Sequence, residues 1–142
     1  MNKIYFLCTG NSCRSQMAEG YARIFLKDKY EIQSAGLEAH GVNALAIKAM
    51  AEDNVDISHQ HSKTINPHYF QAADLIVTLC GDAKDHCPVT APQTRSIHWP
   101  LLDPAQATGT PEQQLLIFRQ VRDEIKQRIL ALASTPENYT NI

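Results

Sequence analysis

Blocks of apolar and polar residues alternate along the chain and predict strands and helices in turn. Short continuous apolar runs are typical of buried strands, whereas apolar residues at helical spacing indicate amphipathic helices. We therefore expect strands over residues 3–7, 30–36, 75–79 and 94–99. We expect helices over residues 16–26 and 43–53, a third helix that opens at Asn66-Pro67, and a long helix near the end of the chain.

The last helix has the most regular pattern. Its apolar residues form one stripe, made of Leu115, Phe118, Val121, Ile125, Ile129 and Leu132. We interpret the Arg and Lys residues on its other faces as solvated. After Ala133 the sequence is polar and contains a helix-breaking proline, so we expect one domain over residues 1–133 and a frayed tail over residues 134–142.

Strands that alternate with helices predict an α/β fold with a parallel sheet covered on both faces. Right-handed crossovers bring the loops after the strands to one edge of such a sheet, where ligands usually bind. Cys8, Cys80 and the segment around Asp103 each follow a predicted strand. We therefore expect these three to lie near one another.

Composition then excludes several classes of protein. The 142 residues carry 13 basic and 15 acidic side chains, for a formal net charge of −2, so no footprint for nucleic acid or a membrane surface is evident. Apolar runs are far shorter than the roughly 20 residues that span a bilayer. The apolar stretch at the N-terminus is too short for a signal-peptide core, and we expect a cytoplasmic protein.

Four cysteines, at positions 8, 13, 80 and 87, raise the question of chemistry. A disulfide framework is not expected in a chain of this size without an export signal, and the spacings do not suit structural zinc. Buried structural thiols or reactive thiols remain as alternatives. The histidines, among them His59, His61 and His86, are interpreted as surface side chains, and no metal site is expected.

The segment over residues 8–15, here called the oxyanion loop, favours reactive thiols. It joins a strand to a helix N-terminus, so several backbone N–H groups and the helix dipole face one point. Arg14 adds a guanidinium whose donors suit a tetrahedral oxyanion. A thiol at the floor of this loop, Cys8, is expected to be held as the thiolate.

The other loop residues have supporting roles in this interpretation. We expect Thr9, Gly10, Asn11, Ser12 and Ser15 to contribute backbone donors and hydrogen bonds, and Cys13 to be a packed or protective thiol. Asn11 suits a left-handed backbone, and Ser15 is placed to cap the helix. The chain has no nucleotide-binding glycine motif, so no cofactor is expected.

The stretch CTGNSCRSQMAEG resembles the signature of the low-molecular-weight tyrosine phosphatase superfamily, and more closely its thioredoxin-coupled arsenate reductase branch. Further matches are SAGLEAHGVN, ADLIVTLC and the HW, DP and VRDEI segments. The resemblance implies a three-layer αβα sandwich with a four-stranded parallel sheet. It also implies that Cys8 is the nucleophile, Arg14 the oxyanion clamp and Asp103 the general acid.

Two features distinguish the branches of this superfamily. Phosphatases of this type usually carry Asp-Pro-Tyr, whereas Ala105 follows Asp103-Pro104 here. Cys80 and Cys87 match the redox pair of the reductases. We therefore expect an arsenate reductase, with a tyrosine phosphatase as the alternative and an oxyanion-binding or redox-sensing module as a third, non-enzymatic hypothesis.

The resemblance implies a relay of three thiols. Cys8 attacks arsenate while Asp103 protonates the departing oxygen; Cys80 then attacks Cys8 and releases arsenite; and Cys87 attacks Cys80. Thioredoxin is the expected reductant, although a glutaredoxin-type donor remains open. Phosphate and sulfate are expected to mimic the substrate, and a monomer is expected.

One position differs from part of the branch. Some of these reductases bind potassium through residues that match Asn11, Glu19, Ser34 and an aspartate, and the aspartate position is Lys63 here. An ammonium group is a compact monovalent cation. Our hypothesis is that Lys63 pairs with Glu19 and supplies the charge that potassium supplies elsewhere.

Overall fold

The computed structural model describes residues 2–79 and 90–134. Its strands are β1 (Asn2–Cys8), β2 (Tyr30–Gly36), β3 (Leu75–Thr78) and β4 (Arg95–His98). Its helices are α1 (Arg14–Phe25), α2 (Ala44–Glu52), α3 (Pro67–Ala72) and α4 (Pro111–Ser134), with a short 3-10 helix over Pro104–Gln106. Cys80, Cys87 and residues 135–142 lie outside the described residues. Of the tail expected over residues 134–142, only Ser134 is described, and it ends the last helix.

The four strands form one parallel sheet in the order β2-β1-β3-β4. Residues 4–8 of the central strand β1 are all buried, as its continuous apolar run predicts. Cys8 aligns with Gly36 of β2, and Leu7 aligns with Thr78 of β3. The carboxyl ends of these strands therefore meet, and the predicted α/β sandwich with a four-stranded parallel sheet is confirmed.

Helix α4 packs against α1 and α2. Five of the six residues in the predicted stripe are buried: Leu115, Phe118, Val121, Ile125 and Ile129. The sixth, Leu132, is partly buried. No helix within the described part of the chain is long and apolar enough to cross a membrane.

The basic faces of α4 are not simply solvated, so that prediction was wrong. Arg119 forms two hydrogen bonds of 2.8 Å to Glu52 at the end of α2. Lys126 Nζ donates to Asp53 at 2.8 Å, and the same carboxylate accepts from Tyr21 Oη of α1 at 2.7 Å. These hydrogen bonds hold the pKa of Asp53 below its ordinary value and tie α4 to both neighbouring helices.

The start of α1 also differs from expectation. The helix begins at Arg14, two residues before the predicted start, and its N-cap Cys13 makes no side-chain capping bond. The expectation that Ser15 caps the helix was wrong, because its hydroxyl is bound to Cys8 and Asn11 instead. Asparagine side chains cap the next two helices: Asn43 caps α2, and Asn66 caps α3 at the predicted Asn66-Pro67 opening.

Candidate active site

A pocket of about 260 Å³ opens at the carboxyl edge of the sheet, with room for a tetrahedral oxyanion and several waters. Its lining residues are Cys8, Thr9, Gly10, Ser12, Cys13, Arg14, His40, Asp103, Ala105 and Gln106. The structure thus brings together the predicted nucleophile, clamp and acid. Asn11 and Ser15, which were predicted in the same site, are fully buried and do not line the pocket.

The buried side chain of Asn11 holds the oxyanion loop in shape. Its backbone is left-handed, with φ of +47°. Its amide nitrogen donates to Ser15 Oγ at 2.8 Å and to Ser34 Oγ at 3.0 Å. Its amide oxygen accepts from Gln16 Nε2 at 2.9 Å and from the Lys63 backbone N–H at 2.8 Å. Both donors and both acceptor positions of the amide are therefore used.

The hydroxyl of Ser15 lies 2.8 Å from the sulfur of Cys8. Because Ser15 Oγ already accepts from the amide nitrogen of Asn11, its own proton is available for the sulfur. Ser15 thus contacts the sulfur of Cys8 rather than capping the helix end.

Residues 37–43, here called the strap, run alongside the oxyanion loop. The backbone N–H groups of Leu37, Glu38 and His40 donate to the carbonyls of residues 8, 9 and 10, at 3.2, 2.9 and 2.9 Å. Free carbonyl oxygens beside the pocket would repel an anion. Here these carbonyls accept hydrogen bonds from the N–H groups of the strap. Gly36, at the end of β2, lies very close to the backbone of the oxyanion loop. A Cβ at this position would be 2.6 Å from the backbone nitrogen of Asn11, so only glycine fits there.

Arg14 is the fixed cation of the pocket. Its side chain is 9% exposed, and Nη1 donates to the carbonyls of Leu79 and Leu101 at 3.5 and 3.3 Å. Its Nε is buried and has no hydrogen-bond partner among the described residues. A buried donor of this kind is costly to leave unpaired, so the arrangement favours an acceptor such as an oxyanion.

Asp103 lies across the pocket from the loop. Its Oδ2 is 3.5 Å from Arg14 Nη2, and its Oδ1 accepts from the Ala105 N–H at 3.0 Å, which starts the 3-10 helix. Asp103 therefore starts the turn that becomes the 3-10 helix and also faces Arg14. The carboxyl group, 32% exposed, is in position to exchange a proton with a molecule in the pocket.

The second cysteine of the loop, Cys13, is buried at the pocket wall. Burial raises the pKa of Cys13 to about 12, so its thiol stays protonated near neutral pH. A protonated thiol is a poor nucleophile. Cys13 is accordingly a packed side chain at the pocket wall, which agrees with the role predicted for it.

A buried carboxylate lies behind the loop. Glu19 accepts from Ser34 Oγ at 2.6 Å and from Arg23 Nε at 2.9 Å, and its Oε1 is 3.8 Å from Lys63 Nζ. Burial lowers the pKa of Lys63, and Glu19 partly offsets this effect. The pair proposed from the sequence is thus formed, although Arg23 is a second cation that the sequence did not suggest.

Two buried glutamines support the loop and were missed from the sequence. Gln16 Nε2 donates to the amide oxygen of Asn11 at 2.9 Å and to the His61 carbonyl at 2.9 Å. Gln60 Nε2 in turn donates to Gln16 Oε1 at 2.8 Å. No spacing rule joins residues 44 positions apart, so only the fold reveals this pair.

The side chain of His61 is exposed, as is that of His59, and His86 lies outside the described residues.

Within residues 2–79 and 90–134, no group of three or more His, Cys, Asp or Glu side chains is arranged to hold a metal ion. The described site contains the thiol, the guanidinium and the carboxylic acid that the sequence predicts for it. Those groups suit nucleophilic attack on a tetrahedral oxyanion.

Comparison with known proteins identifies the family. The model described as low molecular weight phosphotyrosine protein phosphatase matches residues 3–139. The chain belongs to this family. The resemblance predicted from the loop is therefore confirmed at the level of the family.

Relatives within this phosphatase family are named as reductases. An arsenate reductase of Halalkalibacterium halodurans is 56% identical over 137 residues, which cover 95% of this chain and 99% of the relative. A solved structure described as an arsenate reductase in the phosphate binding state has a TM-score of 0.76 at 37% identity, covering 94% of this chain and 98% of that one. A thioredoxin-dependent arsenate reductase of Corynebacterium glutamicum has a TM-score of 0.73 at 26% identity, covering 93% and 60%.

The raised pKa of Cys13 predicts that this thiol resists alkylation in the native protein. In a Cys8→Ser variant, we expect native Cys13 to resist iodoacetamide up to about pH 9, because its pKa near 12 leaves little thiolate. Peptide mass spectrometry of the fragment ending at Arg14 measures the modification. The same variant in denaturant is the control and should be labelled readily. Equal labelling rates in the native and denatured states would contradict this assignment.

The Lys63 hypothesis predicts that the wild-type protein does not distinguish potassium from sodium. We expect equal melting temperatures in the two chlorides at equal ionic strength, because the ammonium of Lys63 already pairs with Glu19. Lys63→Gln should lose on the order of 1 kcal/mol of unfolding free energy and then gain more from potassium than from sodium. The exposed Lys27→Gln serves as the control. A wild-type protein stabilised specifically by potassium would disprove the hypothesis.

Proposed function

We propose that this protein is an arsenate reductase whose nucleophile is Cys8. The proposal rests chiefly on one observation, the thiol of Cys8 on a loop whose clamp Arg14 and carboxylic acid Asp103 face the same pocket. Relatives more than 50% identical over most of the chain carry the name arsenate reductase, which supports the same substrate.

In the first step, the loop and Arg14 bind arsenate, and the Cys8 thiolate attacks the arsenic atom. A sulfur–arsenic bond forms and an arsenic–oxygen bond breaks. Asp103 donates the proton with which the departing oxygen leaves as water. The hydroxyl of Ser15, 2.8 Å from the sulfur, stabilises the thiolate before the attack.

In the second step, the Cys80 thiolate attacks the sulfur of Cys8. A disulfide forms, the sulfur–arsenic bond breaks, and its electron pair goes to arsenic, which is reduced from As(V) to As(III) and leaves as arsenite. Cys87 then attacks Cys80, which frees Cys8 and moves the disulfide to Cys80–Cys87. The two electrons that reduce arsenic thus come from thiols of this chain. Cys80 and Cys87 lie outside the described residues.

A dithiol protein is needed to reduce the final disulfide. We propose thioredoxin, since a structural relative from Corynebacterium glutamicum is named as thioredoxin-dependent. The cycle needs a reducing compartment, so we place the protein in the cytoplasm. Because one chain supplies every proposed group, we expect it to act as a monomer.

A phosphotyrosine phosphatase is the second candidate, because it would use the same Cys8, Arg14 and Asp103. One observation argues against it. Ala105 lines the pocket where phosphatases of this type usually carry a tyrosine, so its methyl group offers no aromatic surface for a phosphotyrosine ring. Neither would a phosphatase use Cys80 or Cys87.

Arsenate-dependent oxidation of NADPH, coupled through thioredoxin and thioredoxin reductase, tests the proposed function. We expect turnover by wild type and a loss of at least about 1,000-fold in Cys8→Ser, Cys80→Ser and Cys87→Ser, because each thiol carries one step. Cys13→Ser is the matched control and should retain most of the activity.

The opposite pattern would identify a phosphatase. In that pattern, arsenate supports no turnover, whereas p-nitrophenyl phosphate is hydrolysed briskly. The hydrolysis would need Cys8 but neither Cys80 nor Cys87. An inactive wild-type protein in both assays, with phosphate still bound, would support a binding module instead.

A further inference from the structure

The carbonyl groups of the oxyanion loop are held in two different ways. Four of them accept from backbone N–H groups of the strap: those of residues 8, 9, 10 and 12. The carbonyl of Asn11 accepts from a side chain instead, the amide nitrogen of Gln16 at 3.1 Å. Gln16 therefore does for this one carbonyl what the strap does for the other four.

The direction of the Asn11 carbonyl also fixes the direction of the next N–H group along the loop. The peptide between Asn11 and Ser12 is trans, and in a planar trans peptide the C=O and the following N–H point in opposite directions. The C=O of Asn11 points at the fully buried amide of Gln16. The N–H of Ser12 therefore points the other way, and Ser12 lines the pocket. A donor whose direction is fixed in advance needs no reorganisation when an anion binds.

Gln60 determines which end of the Gln16 amide faces the loop. Gln16 Nε2 donates to three oxygens, which are the backbone and side-chain oxygens of Asn11 and the carbonyl oxygen of His61. If the amide were turned over, its own oxygen would face these three acceptors. Gln60 Nε2 donates to Gln16 Oε1 at 2.8 Å and so opposes that orientation. Gln60 is buried as well, so bulk water does not compete for this hydrogen bond.

We propose that Gln16 is a positioning residue for oxyanion binding and that Gln60 orients it. Through the carbonyl of Asn11, Gln16 keeps the N–H of Ser12 directed at the bound anion. Both glutamines act from behind the loop, because the residues that line the pocket belong to the loop, the strap and the segment from Asp103 to Gln106. This inference rests on the proposed function, because it assumes that the loop binds an oxyanion.

Binding of inorganic phosphate to the reduced full chain, measured by isothermal titration calorimetry at one fixed pH, tests this role. Gln16→Met keeps the length of the side chain but removes its donors, so we expect phosphate to bind about 10-fold more weakly. Gln60→Met leaves Gln16 without its orienting donor, and we expect a smaller loss of about 3-fold. The double variant should bind phosphate as weakly as Gln16→Met and no more weakly, because Gln60 acts through Gln16.

Tyr21→Phe is the matched control for a loss of stability without a loss of positioning. It removes the hydrogen bond of 2.7 Å from the buried Tyr21 to Asp53, and neither residue lines the pocket. We expect this variant to melt about 3 °C below wild type and to bind phosphate with unchanged affinity. If the affinities of Tyr21→Phe and Gln16→Met both fell in proportion to their melting temperatures, the positioning role would be overturned.

A second measurement decides the case even if Gln16→Met does not fold. In wild type with isotope-labelled serine, phosphate should move the amide proton resonance of Ser12 downfield, because that N–H then donates to an anion. The resonance is identified by its loss in Ser12→Ala. In Gln60→Met the downfield shift should be smaller than in wild type, and a shift of equal size would overturn the proposal.

The outcomes distinguish this inference from the proposed function. If wild type binds phosphate and Gln16→Met binds it equally well, Gln16 has no positioning role, while the oxyanion site and the proposed function stand. If neither wild type nor any variant binds phosphate, the loop is not an oxyanion site, and the proposed function is overturned together with the inference.

Discussion

The geometry of the site depends on one buried amide. Asn11 adopts a left-handed backbone and uses both donors and both acceptor positions of its side chain within the protein. Through these bonds it joins the end of β1 to the first turn of α1, to β2 and to the backbone at residue 63. A loop of small polar residues would otherwise have many conformations, and its entropy would oppose the convergence of its donors on one anion.

The same amide connects the nucleophile to the interior. Because Asn11 donates to both Ser15 and Ser34, each serine can direct its own proton onward, one to Cys8 and the other to Glu19. Glu19 is held in turn by Arg23 and lies near Lys63. The hydrogen-bonded surroundings of Cys8 therefore extend through Ser15 and Asn11 into a buried polar network.

Arg14 of the loop and Asp103 on the opposite wall of the pocket supply the rest of the proposed chemistry. Arg14 is buried and held by backbone carbonyls, so it presents donors without much reorganisation. Asp103 belongs to a turn and stays partly exposed, as a group that exchanges protons needs to be. Cys8, Arg14 and Asp103 by themselves suit attack on phosphorus as well as on arsenic. The proposed difference between a hydrolase and a reductase lies in Cys80 and Cys87.

Much of this could be predicted from the sequence, because strand ends and helix starts are local features. Cys8 and the segment around Asp103 were placed together from the strands that precede them, and Arg14 from its position in the loop before a helix. The apolar stripe of α4 was also evident. Ser15 was misjudged because a tertiary contact with Cys8 outweighs the capping preference. The Gln16–Gln60 pair and the ion pairs of α4 with α2 depend on contacts between distant segments, which no local pattern encodes.

The most direct test of the account is a single turnover of Cys87→Ser with arsenate, followed by peptide mapping under non-reducing conditions. The account predicts about one arsenite released per chain and a disulfide between Cys8 and Cys80, since the next thiol is missing. Arsenite release without that disulfide, or a disulfide between Cys8 and Cys13 instead, would contradict it.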